Sequence, residues 1–476
     1  MLAGSAQPAD RCAALARLSV PPLTIEAAEN LWGPFTAPDG TSVGVTAVCR
    51  VRGIARPTPA SRITFELWLP RSGWNGRYYQ IGNGGFAGNI HYPSLAAEAA
   101  RGNAAAITDT GHSGAQFDAS WAVGQPERVV DYGHRSIKAT ADAARALVSA
   151  HYGMPPRWRY FVGCSGGGRQ ALMAAQRYPD DWDGVLAGAP ANMWTRQLVT
   201  FAGLQQQLRR PGAWIAAAKL PAIQRAALAS CPRGSVVGGV AMNPESCRFD
   251  PASLVCRTAD SPNCLTPVEA AMLRRIQRAG FEPSAAAYPE SWTQWILNPD
   301  PVAPSQHRFA TEAFRYLVRN DPDWRVELFD PRRDRPSRWL REAVDSDSTD
   351  LERFRARGGR ILSYFGWADP VLSPRAGLAY YRRVVQRMGG AARTRDFYRL
   401  FMVPGMTHCQ GGLGADSFGQ SMVSPPLRPD AAHDIRLALE RWVEQGVAPG
   451  SLVAVRYRDG DPRAGVIATQ ILRPVQ

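Results

Sequence analysis

The chain has 476 residues, enough for one large core and a substantial second domain. Its hydrophobic share of 45% and charged share of 20% are ordinary for a soluble globular protein, and no apolar run approaches the length of a membrane span, so no membrane partner is expected. The net charge of +14 comes from arginines scattered between Arg11 and Arg473, without zinc-finger, RNP-like or helix-turn-helix signals, and reads as a solvated basic surface with no nucleic-acid partner.

The N-terminal third reads as strands and loops. Residues 62–69 (RITFELWL) alternate apolar and polar side chains as a half-buried strand does, and residues 78–82 (YYQIG) form another, running into the glycine loop Asn83-Gly84-Gly85-Phe86-Ala87-Gly88. A third strand is expected at 104–109. A helix follows from about His134 to His151, with Ile137, Ala141, Ala144 and Val148 on one face and Gly153 ending it. Residues 159–163 (RYFVG) form a short apolar strand, 169–178 a helix, and 183–190 a buried strand. From about Ala191 the texture changes. Residues 191–344 hold four cysteines and six tryptophans without strand–helix alternation, and read as an inserted domain. Alternation returns with a strand at 360–366, a helix at 374–388, a strand at 397–403 and a helix at 430–445. Strands alternating with helices predict an α/β fold on a mostly parallel sheet, built from 1–190 and 345–476.

Eight cysteines are present: Cys12, Cys49, Cys164, Cys231, Cys247, Cys256, Cys264 and Cys409. The number is even and no C-x-x-C spacing points to zinc or redox chemistry, so a disulfide framework in an oxidising compartment is expected, in a secreted or periplasmic protein. Residues 1–6 (MLAGSA) show neither the basic nor the apolar segment of an export signal, which fits a cytosolic chain or an exported one whose signal has been removed.

The strongest local signal is Gly163-Cys164-Ser165-Gly166-Gly167. It matches G-x-S-x-G and lies between a predicted strand and a predicted helix, where a sharp turn lifts a serine hydroxyl out of a sheet. Small residues on either side of the serine let strand and helix approach. The helix N-terminus then points N–H groups at developing negative charge. A serine hydroxyl is a weak nucleophile that needs a base, and the base needs an orienting carboxylate. In this fold class they follow in the order Ser, Asp or Glu, His. Asp369 sits just after the strand ending at Gly366, and His408 just after the next strand. His433 is the other histidine beyond Asp369, but it falls in the predicted helix 430–445 and reads as a solvated surface residue. The second oxyanion donor is expected from the glycine loop, at Gly85 with Gly84 close behind, beside Gly166 next to the serine. Asp109 and His112 precede the serine, against the expected order, and read as loop-stabilising groups. Trp292 and Trp295 read as core of the inserted domain or as lining of an aromatic pocket, and the burial preference of aromatics favours the core. Two other classes share the pattern: a serine peptidase with the same triad, and a binding protein on a hydrolase scaffold, which would normally have lost a triad residue.

Taken together, Gly163-Cys164-Ser165-Gly166-Gly167-Gly168-Arg169-Gln170, Gly366-Trp367-Ala368-Asp369 and Pro404-Gly405-Met406-Thr407-His408-Cys409 resemble the tannase and feruloyl esterase family over nearly the whole chain. The most specific feature is a cysteine just before the serine paired with one just after the histidine. The resemblance implies an α/β-hydrolase core with an inserted lid at 191–344. It also implies disulfides Cys164–Cys409, Cys12–Cys49, Cys231–Cys247 and Cys256–Cys264, and hydrolysis of small aromatic esters (hydroxycinnamate, gallate or terephthalate monoesters) through an acyl-enzyme without a cofactor. Lids of this family usually carry a calcium loop, C-D-x-x-D-G-x-x-D-G. Here Pro232, Ser235 and Gly239 stand at the three aspartate positions, so no metal is expected.

Overall fold

The computed structural model describes residues 10–18, 20–289, 291–297, 304–421 and 423–476. Nine strands form one sheet: β1 (Leu23–Thr36), β2 (Ser42–Ala55), β3 (Ile63–Pro70), β4 (Arg77–Ile81), β5 (Ala104–Thr108), β6 (Trp158–Cys164), β7 (Gly184–Gly188), β8 (Arg360–Gly366) and β9 (Tyr398–Val403). Their spatial order is β1-β2-β3-β5-β4-β6-β7-β8-β9. The first three strands and β5 pair antiparallel, whereas β5, β4, β6, β7, β8 and β9 run parallel. Parallel strands need both faces covered and are therefore apolar along their length. All five residues of β5 and of β7 are buried.

Alternation along these strands divides the core into two faces. Tyr78, Ala104, Ala106, Phe161, Val185 and Ile361 pack with residues from helices Ser136–Tyr152, Gly166–Arg177 and Pro374–Arg387. Their neighbours Tyr79, Tyr160, Val162, Leu186, Leu362 and Tyr364 face Leu439 and Trp442 of helix Ile435–Gln445. The result is a three-layer α/β/α arrangement. Polar anchors fix the last helix to β4: the Tyr79 hydroxyl donates to Glu440 at 2.5 Å, and Arg77 Nε donates to Glu444 at 2.6 Å.

Between β7 and β8 the chain adds no described strand to this sheet. It forms helices, including Trp194–Leu208, Pro267–Arg278 and Ser305–Ala313, and a two-residue ribbon pairing Val236–Val237 with Val240–Ala241. A second ribbon, Leu452–Tyr457 with Val466–Leu472, lies near the C-terminus. Among the described residues, no helix is long and apolar enough to cross a membrane.

Two expectations shift in detail. The helix expected from 134 is preceded by a π-helical turn, Asp131–Arg135, and its regular part runs Ser136–Tyr152, capped by Gly153 at φ 78°. The last long helix starts at Ile435, not at 430. Asp434 caps it, accepting from the Arg436 and Leu437 N–H groups, and this cap ends the turn that holds His433.

Candidate active site

Ser165 occupies the turn between β6 and helix Gly166–Arg177 with φ 62° and ψ −122°, a conformation that costs a non-glycine residue on the order of 1–3 kcal/mol. The surroundings over-determine it. Its N–H donates to the Gly188 carbonyl at 3.0 Å, and its carbonyl accepts from Ala191 N–H at 3.1 Å. Glycines make room for the turn: a Cβ on Gly163 would lie 2.6 Å from the Gly167 carbonyl carbon, and one on Gly168 would collide with the Gly188 carbonyl oxygen.

Asp369 follows β8 and His408 follows β9. The His408 Nδ1–H donates to Asp369 Oδ2 at 2.7 Å. Asp369 Oδ1 accepts from the Val371 and Leu372 N–H groups at 2.8 and 2.9 Å, so both oxygens of this buried carboxylate are hydrogen-bonded. The two loops touch through backbone: Ala368 N–H donates to the Met406 carbonyl at 3.0 Å, and a Cβ on Gly366 would collide with the carbonyl oxygens of Met406 and Thr407. A Cys164–Cys409 disulfide, with Cα atoms 6.0 Å apart, joins the residue before Ser165 to the residue after His408. The other bridges are Cys12–Cys49, Cys231–Cys247 and Cys256–Cys264, and none of the described cysteines is free.

The glycine loop after β4 lies against the serine turn. A Cβ on Gly166 would sit 2.8 Å from the Asn83 carbonyl oxygen and 3.0 Å from the Gly85 nitrogen. Gly85 itself is at φ 55°, and a side chain there would meet the Gln116 carbonyl oxygen at 2.5 Å and Phe309 at 3.2 Å. Hydrogen bonds hold the loop from several directions. Asn83 N–H donates to Gln170 Oε1 at 2.8 Å, Phe86 N–H to the Gln116 carbonyl at 2.9 Å, and the Tyr132 hydroxyl to the Gly85 carbonyl at 2.9 Å. His112 donates through Nε2 to the Phe86 carbonyl at 2.7 Å and stacks on Trp121. Burial pushes His112 down to about 4, so it is a neutral donor at neutral pH. Asp109 accepts from the Thr64 and Gly111 N–H groups, and burial pushes its carboxyl up to about 6. His112 thus supports the glycine loop, and Asp109 ties its own loop to β3. His433 pairs within its own turn, its Nδ1 meeting Asp430 Oδ1 at 2.7 Å.

The segment between β7 and β8 reaches the same place. The half-buried Trp295 lies against His408, with ring centroids 6.1 Å apart, whereas Trp292 is 1% exposed in the core. The two tryptophans, three residues apart, thus differ: Trp292 is core, and Trp295 packs on the core beside His408. Ala285 and Tyr288 pack with Ala368, and Gln306 Nε2 donates to the Pro370 carbonyl at 3.1 Å beside Asp369. Tyr132 and Phe309 carried no motif in the sequence. Only the fold brings them to Gly85.

The loop after Cys231 does not fit calcium. Gly238 and Gly239, at φ 57° and 78°, turn the Val236–Val237 and Val240–Ala241 ribbon as a tight hairpin of the type that needs two left-handed residues, and the positions expected to carry carboxylates offer none. One further cluster, Cys256, Asp260 and Cys264, brings ligand-type atoms together. Its cysteines are bridged, and Asp260 accepts from Lys219 at 2.5 Å.

A largely parallel sheet with a strained serine turn after β6, and an Asp–His pair on the loops after β8 and β9, defines the α/β-hydrolase class. Residues 48–473 match the family described as tannase and feruloyl esterase. An uncharacterized esterase of Xanthomonas campestris pv. campestris is 41% identical, over 97% of this chain and 87% of the relative. A probable feruloyl esterase B-2 of Aspergillus terreus is 30% identical, over 88% and 81%. The crystal structure of feruloyl esterase B from Aspergillus oryzae shares the fold, with a TM-score of 0.88, 23% identity and coverage of 98% of this chain and 95% of that one. The chain belongs to the tannase and feruloyl esterase family of carboxylic ester hydrolases.

Proposed function

We propose that this protein is a serine esterase acting on esters of aromatic acids through an acyl-enzyme, with Ser165 as nucleophile, His408 as general base and acid, and Asp369 as the carboxylate that orients the imidazole. The observation that carries this reading is the 2.7 Å His408–Asp369 hydrogen bond, on loops joined to the serine turn by the Cys164–Cys409 bridge. With Nδ1–H held by Asp369, Nε2 is the nitrogen left to accept the serine proton. Ser165 Oγ attacks the ester carbonyl carbon. The resulting oxyanion is held by the N–H groups of Gly85 and Gly166, with Gly84 beside them. Collapse expels the alcohol, which takes its proton from His408. A water deprotonated by His408 then attacks the acyl-enzyme and releases the acid.

The aromatic preference rests on Trp295, a half-buried ring beside His408, and on the feruloyl esterase relatives. In this reading residues 191–344 act as a lid. Four disulfides support maturation in an oxidising compartment, secreted or periplasmic. The test is acid release from a panel of hydroxycinnamate, gallate and terephthalate monoesters by the wild type and Ser165→Ala. Turnover of at least one aromatic ester, reduced by several orders of magnitude in the variant, is expected. Undiminished turnover in folded Ser165→Ala would refute the assignment.

A further inference from the structure

Tyr132 belongs to the π-helical turn Asp131–Arg135, in which Ser136 N–H closes onto the Asp131 carbonyl five residues earlier. Such turns are rare and free neighbouring carbonyls for other partners. Here the partner is Arg169, four residues after Ser165 on the helix that carries it. The guanidinium is 1% exposed and donates to the Gly133 carbonyl at 2.8 Å, the Tyr132 carbonyl at 3.1 Å and the Val344 carbonyl at 2.9 Å. It also lies 4.7 Å from the centre of the Tyr132 ring. The Tyr132 ring is buried among Phe86, His112 and Trp121. Its hydroxyl donates to the Gly85 carbonyl at 2.9 Å. Burial raises the phenol above its ordinary value, which keeps the proton available for that bond.

These contacts form a closed circuit. The serine helix holds the π turn through Arg169, the π turn holds Gly85 through Tyr132, and Gly85 packs back on Gly166 at the start of the same helix. We propose that Tyr132, braced by Arg169, is a positioning residue that fixes Gly85 by its carbonyl, so that the Gly85 N–H, on the preceding peptide, stays in register with Gly166 as an oxyanion donor. The inference rests on the reading of those two glycines as the oxyanion pair. Gly85 is at φ 55°, and the peptide that carries its carbonyl is held at both ends, by the Tyr132 phenol on the oxygen and by the Phe86 N–H bond to the Gln116 carbonyl. A misplacement of about 1 Å in such a donor has large consequences for rate.

Tyr132→Phe removes the hydroxyl and keeps the ring. Three readouts are compared with wild type on an aromatic ester: kcat and KM, melting temperature, and inhibition by phenylboronic acid, whose tetrahedral serine adduct places an oxygen in the oxyanion site. The expected result is a kcat lower by about tenfold, KM within about twofold, boronate affinity weakened in parallel with kcat, and a melting temperature within a few degrees of wild type. A role in packing alone would move the melting temperature and leave kcat and boronate affinity together at wild-type values, and that result overturns the proposal. Ser165→Ala run alongside separates the two levels. Loss of turnover in Ser165→Ala with a wild-type Tyr132→Phe removes only the role of Tyr132, whereas full turnover in Ser165→Ala removes the serine reading and the role of Tyr132 with it.

Discussion

The Trp295 indole lies 6.1 Å from the His408 imidazole, centroid to centroid, with the ring planes at 59°. A tryptophan from the segment between β7 and β8 thus meets the proposed base directly. An aromatic acyl group attached to Ser165 would share that apolar wall, while an acetyl group would be too short to use it. Trp295→Ala is expected to lower kcat/KM for aromatic esters about tenfold, the scale of one lost aromatic contact, and to change acetyl ester turnover by less than about threefold. Equal losses on both substrates would show that Trp295 serves the histidine and not the acyl group.

The Cys164–Cys409 bridge spans 245 residues of sequence. Closing so long a loop contributes roughly 2–5 kcal/mol to stability, but the local effect on register is expected to be larger. A Cys164→Ala/Cys409→Ala variant should fold with a lower melting temperature and lose most of its activity. Non-reducing peptide mapping of protein made in an oxidising compartment checks the bond itself, and free thiols at both positions would contradict it.

Gly366 ends β8 under the histidine loop, where a methyl group would run into the backbone of Met406 and Thr407. Backbone cannot step aside as a side chain can. Gly366→Ala is therefore expected to displace His408, with activity reduced by about a hundredfold or more and a melting temperature lowered by several degrees. A variant of wild-type activity would mean that the loop relaxes freely, contrary to its hydrogen bonds with Trp367 and Ala368.

Excess chelator should leave both activity and melting temperature unchanged, because the loop after Cys231 turns on Gly238 and Gly239 and presents no carboxylates at the expected positions. A fall in melting temperature that calcium restores would place ligands elsewhere in the chain.

His112 makes stability fall in acid. Its folded pKa of about 4 lies below the roughly 6.5 of a free imidazole, so the unfolded chain takes up this proton first. The stabilising contribution is complete above about pH 6.5 and is lost as pH drops toward 4, on the order of 3 kcal/mol in full. Asp109 acts in the opposite sense: with a folded value of about 6, its ionisation costs stability above that pH, and the cost is relieved on acidification. His112→Gln should keep a donor near the Phe86 carbonyl while removing the titration. The drop in melting temperature between about pH 7.5 and about pH 4.5 should accordingly be smaller in the variant. An identical drop in both proteins would place the acid sensitivity in other groups.

Much of this was legible in the sequence, and the reasons are physical. The parallel strands β5 to β9 are short apolar runs flanked by helices, and their period and punctuation are plain. The serine turn announces itself through glycines that strand–helix contact requires. By contrast, β1 and β2 were hidden. Their alternation is broken by register shifts at Ile25/Ala27 and Leu31/Gly33, and β1 exposes side chains at irregular intervals at the edge of the sheet. The serine, aspartate and histidine positions followed from chain order and strand ends. Tyr132, Phe309 and the separate surroundings of Trp292 and Trp295 did not: Tyr132 meets Gly85 by way of the π turn that Arg169 holds, and the others depend on how the segment between β7 and β8 packs against the loops. No spacing rule reports that packing.

β7 and β8 are hydrogen-bonded neighbours, and Ala189 N–H, just past β7, donates to the Tyr364 carbonyl at 2.7 Å. The chain therefore departs from the sheet and re-enters it one strand apart. A stretch anchored at two adjacent points can grow, shrink or be replaced over generations without changing the register of any strand that carries Ser165, Asp369 or His408. In the proposed reading, the segment that would select the acid can thus diverge at a different rate from the strands that hold the proposed triad.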